Sequence, residues 1–182
     1  MDISSLDPSS DADRERCAAL LVAEFRDIAP DAWPTLATAR ESVDECLALG
    51  VVRVARENHD IVGWIGGHHT YGRVWELHPL VVDRAHQRRG IGRALVADLE
   101  RIVAGRGGLT LELGSDDEVG LTSLAGVDLY PNPLDHLMRL EDRGGHAFVF
   151  YARCGFAVTG VTPDANALGQ HDIHMAKRVG ER

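Results

Sequence analysis

The sequence is poor in the features that mark secreted, membrane-spanning and zinc-binding proteins. Cysteine is rare: Cys17, Cys46 and Cys154 are an odd number of thiols, and their spacing matches no zinc motif. We therefore expect reduced thiols and a cytoplasmic protein. No apolar run approaches the roughly 20 residues of a membrane span, and the acidic, polar first residues are unlike a signal peptide. These absences predict a protein without a membrane partner.

Positive charge is also scarce. The sequence has 19 lysines and arginines and 28 aspartates and glutamates, which gives a net charge of −9. This balance disfavours nucleic acid as a partner. It suits a cationic small substrate, which an acidic cleft would concentrate, although many acidic proteins bind no such molecule. The length of 182 residues and the hydrophobic content of 45% predict one globular domain over residues 1–182.

The hydrophobic pattern predicts an α/β fold in which helices and strands follow one another along the chain. Residues 163–166, Pro-Asp-Ala-Asn, are predicted to form the turn between the last two strands. An acidic segment (residues 114–145) is predicted as a long connection, of a length that is usually functional or mobile. Helices are predicted at 11–25, 36–49, 91–104, 134–140 and 146–153, and strands at 51–55, 61–67, 74–82, 109–113, 156–161 and 172–177.

The stretch from the predicted strand 74–82 to the helix start at Ile91 has the pattern of an anion site. The first turn of a helix carries unpaired N–H groups at the positive end of the helix dipole. Gly90 and Gly92 keep side chains away from those N–H groups, so that a phosphate could reach them. The spacing Gln87-x-x-Gly90-x-Gly92 lacks the third glycine of dinucleotide-binding loops and the Gly-Lys-Ser/Thr of P-loops.

Pro79 lies inside an otherwise regular strand. Proline cannot donate to the ladder, so it marks an edge strand, a bulge or a place where the sheet splays. Strand alternation puts Glu76 and His78 on one face, opposite Trp75 and Leu77. A carboxylate and an imidazole on one face either relay a proton or form a structural pair. The adjacent anion site favours the proton relay.

These motifs resemble the GNAT superfamily of N-acetyltransferases, in which such a glycine loop binds the pyrophosphate of acetyl-CoA. Residues 75–82, Trp-Glu-Leu-His-Pro-Leu-Val-Val, are similar to a signature of the aminoglycoside 6′-N-acetyltransferase branch. The likeness covers about residues 51–177, with further blocks in order at 106–108, 113–118, 128–130, 150–156, 160–166 and 172–177. The chain departs from the branch at Ala167 and His171, where glycine and proline are usual.

The resemblance implies a mixed, mostly antiparallel sheet that splays between its fourth and fifth strands and is flanked by helices. It implies a homodimer that transfers acetyl from acetyl-CoA to the 6′-amine of an aminoglycoside, with no metal. Glu76 and His78 would accept the proton of the amine, and Tyr151 would be the acid for the departing thiolate. Acetyl-CoA would bind at Leu80, Val81, Val82, Gln87, Arg88, Arg89, Gly90, Ile91, Gly92 and Arg93.

An aminoglycoside carries several ammonium groups, so its site should present several carboxylates. Besides Glu76, the acidic segment offers Asp116, Asp117, Glu118 and Asp128 as substrate-binding candidates. For each of these, a solvated acidic loop is the alternative interpretation.

Other interpretations of single residues stay open at this point. Tyr151 could be a packed aromatic residue with a satisfied hydroxyl group. Cys154 could be a nucleophile in a two-step transfer, but no His/Asn spacing supports that. A metal site through His68, His69 and His78 matches no known zinc pattern.

Two other classes of function also remain. One is a GNAT enzyme for a different cationic amine, such as a polyamine, an amino sugar or a peptide N-terminus. The other is a non-catalytic acetyl-CoA-binding protein, which loss of Glu76 or of the glycines would have favoured. This chain keeps both features.

Overall fold

The computed structural model describes residues 1–180, which form two compact units. The first unit comprises residues 1–111 and 178–180, and the second unit comprises residues 112–177. One domain over residues 1–182 stays a prediction. Within residues 1–180, no helix is long and apolar enough to cross a membrane.

Four antiparallel strands and three helices make up most of the first unit. Strands β1 to β4 pair in sequence order, each antiparallel to the one before it. A single 3-10 turn at Arg84–His86 links the last of them to the third helix. The elements are β1 (Asp2–Ser5), α1 (Asp11–Phe25), α2 (Leu36–Leu49), β2 (Gly50–Glu57), β3 (Asp60–Tyr71), β4 (Val74–Val82) and α3 (Ile91–Gly105).

The second unit contains most of strand β5 (Thr110–Asp116), two short helices and a final hairpin. The helices are α4 (Pro133–Leu137) and α5 (Ala147–Arg153), and the hairpin pairs β6 (Ala157–Ala167) antiparallel with β7 (Gln170–Arg178). The strand order is β1-β2-β3-β4-β5-β7-β6, with β5 parallel to β4. The predicted α/β fold with a mixed, mostly antiparallel sheet is confirmed.

Local signals explain the boundaries of the first two helices. The Ser10 hydroxyl caps α1 by accepting from the Asp13 N–H, and Thr35 forms a capping box with Thr38 at the start of α2. Both helices have the predicted boundaries, whereas the first strand, β1, was not predicted. Three of its four residues, Asp2, Ser4 and Ser5, are polar, so the segment carries little hydrophobic pattern.

The third helix buries the predicted apolar face, including Ile91, Leu95 and Leu99. The same face also buries Asp98, which the pattern did not predict. Burial of this carboxylate is compensated by Arg53, whose Nε donates to Asp98 Oδ2 at 2.6 Å.

The prediction of a turn at residues 163–166 is wrong. These residues lie inside β6, where the pairing with β7 shifts between Thr162 and Ala167. Asp164 has a φ of 55°, so the segment forms an irregularity in the strand, and the chain reverses later, at Gly169, where φ is 77°. Proline, aspartate and asparagine suit a bulge as well as a turn, which is why the pattern misplaced the reversal.

The first unit has a core between its strands and helices α1 and α2. Trp64 is fully buried there, and its Nε1 donates to the Cys17 carbonyl at 3.0 Å. Burial raises the pKa of the Cys17 thiol to about 12, so this cysteine is an inert core residue. The other core residues are Leu6, Ala18, Leu20, Leu21, Ala39, Val43, Val52, Val54, Ile61 and Val81.

Candidate active site

Strand β4 carries a bulge at the predicted irregular position. His78 and Pro79 together oppose the single residue Gly66 of β3, so no ladder hydrogen bond is required of the proline. A Cβ at Gly66 would lie 2.3 Å from the His78 carbonyl oxygen. The close approach of the two strands therefore depends on glycine at this position. Of the interpretations of Pro79, the structure supports the bulge.

The two faces of β4 differ as strand alternation predicts. Trp75 and Leu77 are buried, whereas Glu76 is half-buried and His78 is exposed. The rings of His78 and Trp33 lie with centroids 6.0 Å apart. Glu76 and His78 thus occupy the accessible face of the strand, next to an indole from the connection between α1 and α2.

The imidazole in contact with Glu76 comes from the neighbouring strand. His68 of β3 is the register partner of Glu76, and its Nε2 lies 3.4 Å from Glu76 Oε2. Sequence reasoning considered His68 only as a metal ligand and missed this pairing. The β3–β4 hairpin could have indicated the pairing only if the register shift between His69 and Tyr71 had been known.

The three histidines considered as metal ligands do not converge. The ring of His69 stands edge-on to Trp75 at 6.0 Å, and its Nε2 lies 3.1 Å from the Gly72 carbonyl oxygen. Trp75 is buried on the face of β4 opposite Glu76. Among residues 1–180, no group of three or more histidines, cysteines, aspartates and glutamates is placed to hold a metal ion.

The segment after β4 forms an open helix N-terminus. Gln87 Nε2 donates to the Val82 carbonyl at 2.9 Å and so fixes the segment to the end of the strand. Gly90 is the N-cap of α3, with a φ of 85°, and no side chain of the described residues 1–180 caps this helix. A Cβ at Gly90 would have no heavy atom within 4 Å. The first N–H groups of α3 are therefore accessible to a phosphate.

Two arginines beside this helix start have no acidic partner among the residues that the structure describes. Arg89 pairs with Glu57 at 3.0 Å, but within residues 1–180 no carboxylate lies within 4.0 Å of the guanidinium of Arg88 or Arg93. Both side chains are exposed. The open N–H groups and the two unpaired cations fit a phosphorylated ligand such as acetyl-CoA.

The carboxylates of the acidic segment have different surroundings. Asp117 is only 2% exposed. Its Oδ1 accepts from the Leu121 N–H at 2.6 Å, and its Oδ2 accepts from the N–H and the hydroxyl of Thr122 at 2.9 and 2.6 Å. With both oxygens occupied by its own loop, Asp117 is a structural residue in this conformation.

Asp116 and Asp128 are exposed, and Glu118 is half-buried. Asp116 Oδ1 accepts from Asn166 Nδ2 at 2.8 Å, and Asp128 Oδ1 accepts from the Tyr130 N–H at 3.0 Å. Each of these two aspartates keeps a carboxylate oxygen that accepts from no residue among 1–180.

His171, one of the two departures from the resemblance, is buried and connects three segments. Its Nδ1 accepts from the Asp164 N–H at 3.1 Å, so its Nε2 carries the hydrogen. Nε2 donates to the carbonyls of Leu124 and Val127, each at 3.1 Å. This ring therefore holds the part of the acidic segment that leads into Asp128.

Tyr151 lies in α5 and packs against the rings of Phe150 and Phe156. Burial, and to a smaller extent Cys154, raise the pKa of the Tyr151 hydroxyl above its ordinary range. The hydroxyl is therefore a neutral hydrogen-bond donor at neutral pH. The helix start is fixed by His146, whose Nδ1 accepts from the Phe148 N–H at 3.1 Å.

Solved structures of acetyltransferases are similar to this chain over its full length. An aminoglycoside 6′-N-acetyltransferase complexed with coenzyme A is 34% identical, with a TM-score of 0.89, over 100% of this chain and 99% of that chain. The aminoglycoside 6′-N-acetyltransferase from Enterococcus faecium gives the same identity, TM-score and coverage.

A curated relative and a family profile agree with these structures. N-alpha-acetyltransferase RimI of Mycobacterium tuberculosis is 35% identical over 116 residues, which are 60% of this chain and 68% of that protein. In another curated relative, from Mycobacterium leprae, the match spans only 30% of its length. The acetyltransferase (GNAT) family profile matches residues 14–130. The chain therefore belongs to the GNAT family of acetyltransferases, whose co-substrate is acetyl-CoA.

Proposed function

We propose that this protein transfers the acetyl group of acetyl-CoA to the 6′-amine of aminoglycoside antibiotics. The observation that carries the proposal is the full-length likeness, at 34% identity and a TM-score of 0.89, to aminoglycoside 6′-N-acetyltransferases. It is supported by the accessible carboxylate of Glu76 on β4. Modification of such antibiotics would make the protein a resistance enzyme.

The phosphates of acetyl-CoA bind at the start of α3 in this proposal. Backbone N–H groups from Gly90 to Arg93 and the guanidinium groups of Arg88 and Arg93 supply donors and positive charge. Gln87 keeps the segment fixed to the end of β4. The pantetheine arm then follows β4 at Leu80, Val81 and Val82, where the resemblance to GNAT enzymes implies that the sheet splays.

The acceptor amine reaches neutral pH as an ammonium group and must lose a proton before it attacks. Glu76, assisted by His78, accepts that proton directly or through one water molecule. The amine nitrogen then forms a bond to the thioester carbonyl carbon, and the C–S bond breaks. A backbone N–H at Leu80 stabilises the oxyanion, and the neutral hydroxyl of Tyr151 donates to the departing thiolate.

The remaining ammonium groups of the antibiotic require further carboxylates. We assign this role to Asp116, Glu118 and Asp128, because none of them is fully buried. Asp117 contributes indirectly, since its oxygens hold the loop at Leu121 and Thr122. Acidic side chains also attract the polycation from solution.

A second candidate is acetylation of a peptide N-terminus, which the likeness to N-alpha-acetyltransferase RimI favours. Purified protein should be assayed for CoA-thiol release from acetyl-CoA with kanamycin or tobramycin. A 6′-hydroxyl aminoglycoside and a peptide with a free N-terminus serve as comparisons. Release with the 6′-amines alone supports our proposal. Release with the peptide alone contradicts it and supports the second candidate.

Absence of release with every amine, while acetyl-CoA still binds, would support a non-catalytic acetyl-CoA-binding protein. The homodimer and the cytoplasmic location are further parts of the proposal. Sedimentation of the purified protein tests the first, and cell fractionation tests the second.

A further inference from the structure

We propose that His68 is a positioning residue that orients the carboxylate of Glu76 toward the acceptor amine. This inference rests on the proposed role of Glu76 in acetyl transfer. Its starting point is the contact between His68 Nε2 and Glu76 Oε2 at 3.4 Å. Within residues 1–180 the Glu76 carboxylate makes no hydrogen bond and no other ion pair, so His68 lies beside Oε2 and leaves Oε1 open to the amine.

The pairing of β3 with β4 places His68 beside Glu76, so the position of His68 does not depend on a flexible segment. His68 and Glu76 are register partners on paired strands, and side chains of directly opposed residues point to the same side of the sheet. The residues before His68 are Gly66 and Gly67, and a Cβ on them would meet the His78 carbonyl oxygen at 2.3 Å and Leu99 Cδ1 at 2.6 Å. Close packing on both faces therefore fixes the path of β3 up to His68.

The exposure of the pair favours a functional contact over a stabilising one. The side chains of His68 and Glu76 are 27% and 36% exposed. Ion pairs with this much exposure contribute little to folding, because water and salt screen them. A substitution at His68 should therefore leave the fold intact. A loss of activity can then be attributed to a changed orientation of the Glu76 carboxylate.

The adjacent residue His69 provides a matched control. It is also a histidine in β3, but its ring contacts Trp75 and the Gly72 carbonyl instead of Glu76. Loss of an imidazole at either position removes the same chemical group from the same strand. Only the change at His68 should affect the carboxylate.

The experiment compares wild type with His68→Ala, His68→Gln and His69→Ala, using whichever aminoglycoside or peptide amine the wild type acetylates. We expect His68→Ala to lower kcat about tenfold, as small misplacements of a reacting group do, with the KM for acetyl-CoA unchanged. His68→Gln should recover most of kcat, because its amide can donate to Oε2. His69→Ala should match the wild type.

A Glu76→Gln background separates this inference from the proposed function. There, a further His68→Ala change should have no effect on kcat, because the carboxylate that His68 positions is gone. A kcat of His68→Ala equal to wild type, or an equal loss in His69→Ala, would overturn the role of His68 alone. A wild type that acetylates peptides but not aminoglycosides would overturn the proposed substrate while the His68 test still applies. A wild type inactive on all these amines would overturn both.

Discussion

Glu76 and Asp117 are both carboxylates that the sequence assigns to the site, and the structure gives them opposite surroundings. Glu76 is half-buried on β4, and its carboxylate forms one ion pair within residues 1–180, with His68. Asp117 is buried, and its two oxygens accept three hydrogen bonds from Leu121 and Thr122. A carboxylate saturated by its own loop holds that loop in place, whereas a carboxylate with an open oxygen can accept a proton from a substrate.

The largest effect should come from Glu76→Gln. We expect kcat to fall about 10²- to 10⁴-fold, because the amide cannot accept the proton of the amine. Binding of acetyl-CoA should persist, since the phosphate-binding residues are unchanged. Steady-state kinetics and calorimetric titration with acetyl-CoA measure the two properties. The control is Glu45→Gln, a change at an exposed position of α2. A kcat of Glu76→Gln within about threefold of wild type would remove Glu76 from the mechanism.

Asp117→Asn should give the reverse result and so sharpen the comparison. Its amide nitrogen cannot accept from Leu121 or Thr122, so buried donors lose their partner. We expect the free energy of unfolding to drop by about 1–3 kcal/mol, while kcat of the folded enzyme stays within about threefold of wild type. Denaturant unfolding measures the loss of stability. Asp116→Asn, at the exposed neighbouring position, should unfold like the wild type. Full stability of Asp117→Asn would contradict its structural role.

Arg88 and Arg93, which pair with no carboxylate in residues 1–180, predict an effect on co-substrate binding alone. Arg88→Ala and Arg93→Ala should each raise the KM for acetyl-CoA by about tenfold, as expected for loss of a charge-assisted hydrogen bond, and leave kcat nearly unchanged. Arg101→Ala is the control, because Arg101 lies farther along the same helix and pairs with Asp98. An equal rise in KM for Arg101→Ala would show that general charge, and not the open helix start, attracts acetyl-CoA.

The smallest effect is expected for Tyr151→Phe, because the raised pKa of Tyr151 makes the hydroxyl a donor and not a source of full proton transfer. We expect kcat to fall by less than about tenfold.

The raised pKa of Tyr151 also predicts a dependence of stability on pH. The folded state favours the neutral hydroxyl, and the resulting stabilisation is present below the ordinary tyrosine pKa of about 10 and declines as pH rises above it. Unfolding measured from pH 7 to 11 should therefore show a steeper loss in wild type than in Tyr151→Phe. Parallel curves would contradict the raised pKa of the Tyr151 hydroxyl in the folded state.

Periodic segments were predictable from the sequence. The boundaries of β4 and α1 follow from alternation and capping, and both are confirmed. The burial of Asp117 could also have been predicted. It continues the series of alternate positions Leu111, Leu113 and Ser115, which are all buried. The sequence interpretation grouped the acidic residues by charge and passed over this alternation.

Features that depend on partners far apart in the chain were not predictable. The contact of His68 with Glu76 depends on a register shift in the hairpin between β3 and β4. The place of His171 depends on carbonyl groups more than forty residues earlier, at Leu124 and Val127. Local pattern carries no information on either pairing. Residues with a clear local pattern were therefore placed well, and their partners were not.

The position of the acetyl group on the product tests the central claim most directly. Kanamycin incubated with acetyl-CoA and the purified protein should be isolated and examined by two-dimensional NMR. Our account predicts one acetyl group per molecule, bonded to the 6′ nitrogen. An acetyl group on any other nitrogen, or unmodified antibiotic under conditions in which another amine is acetylated, would contradict it.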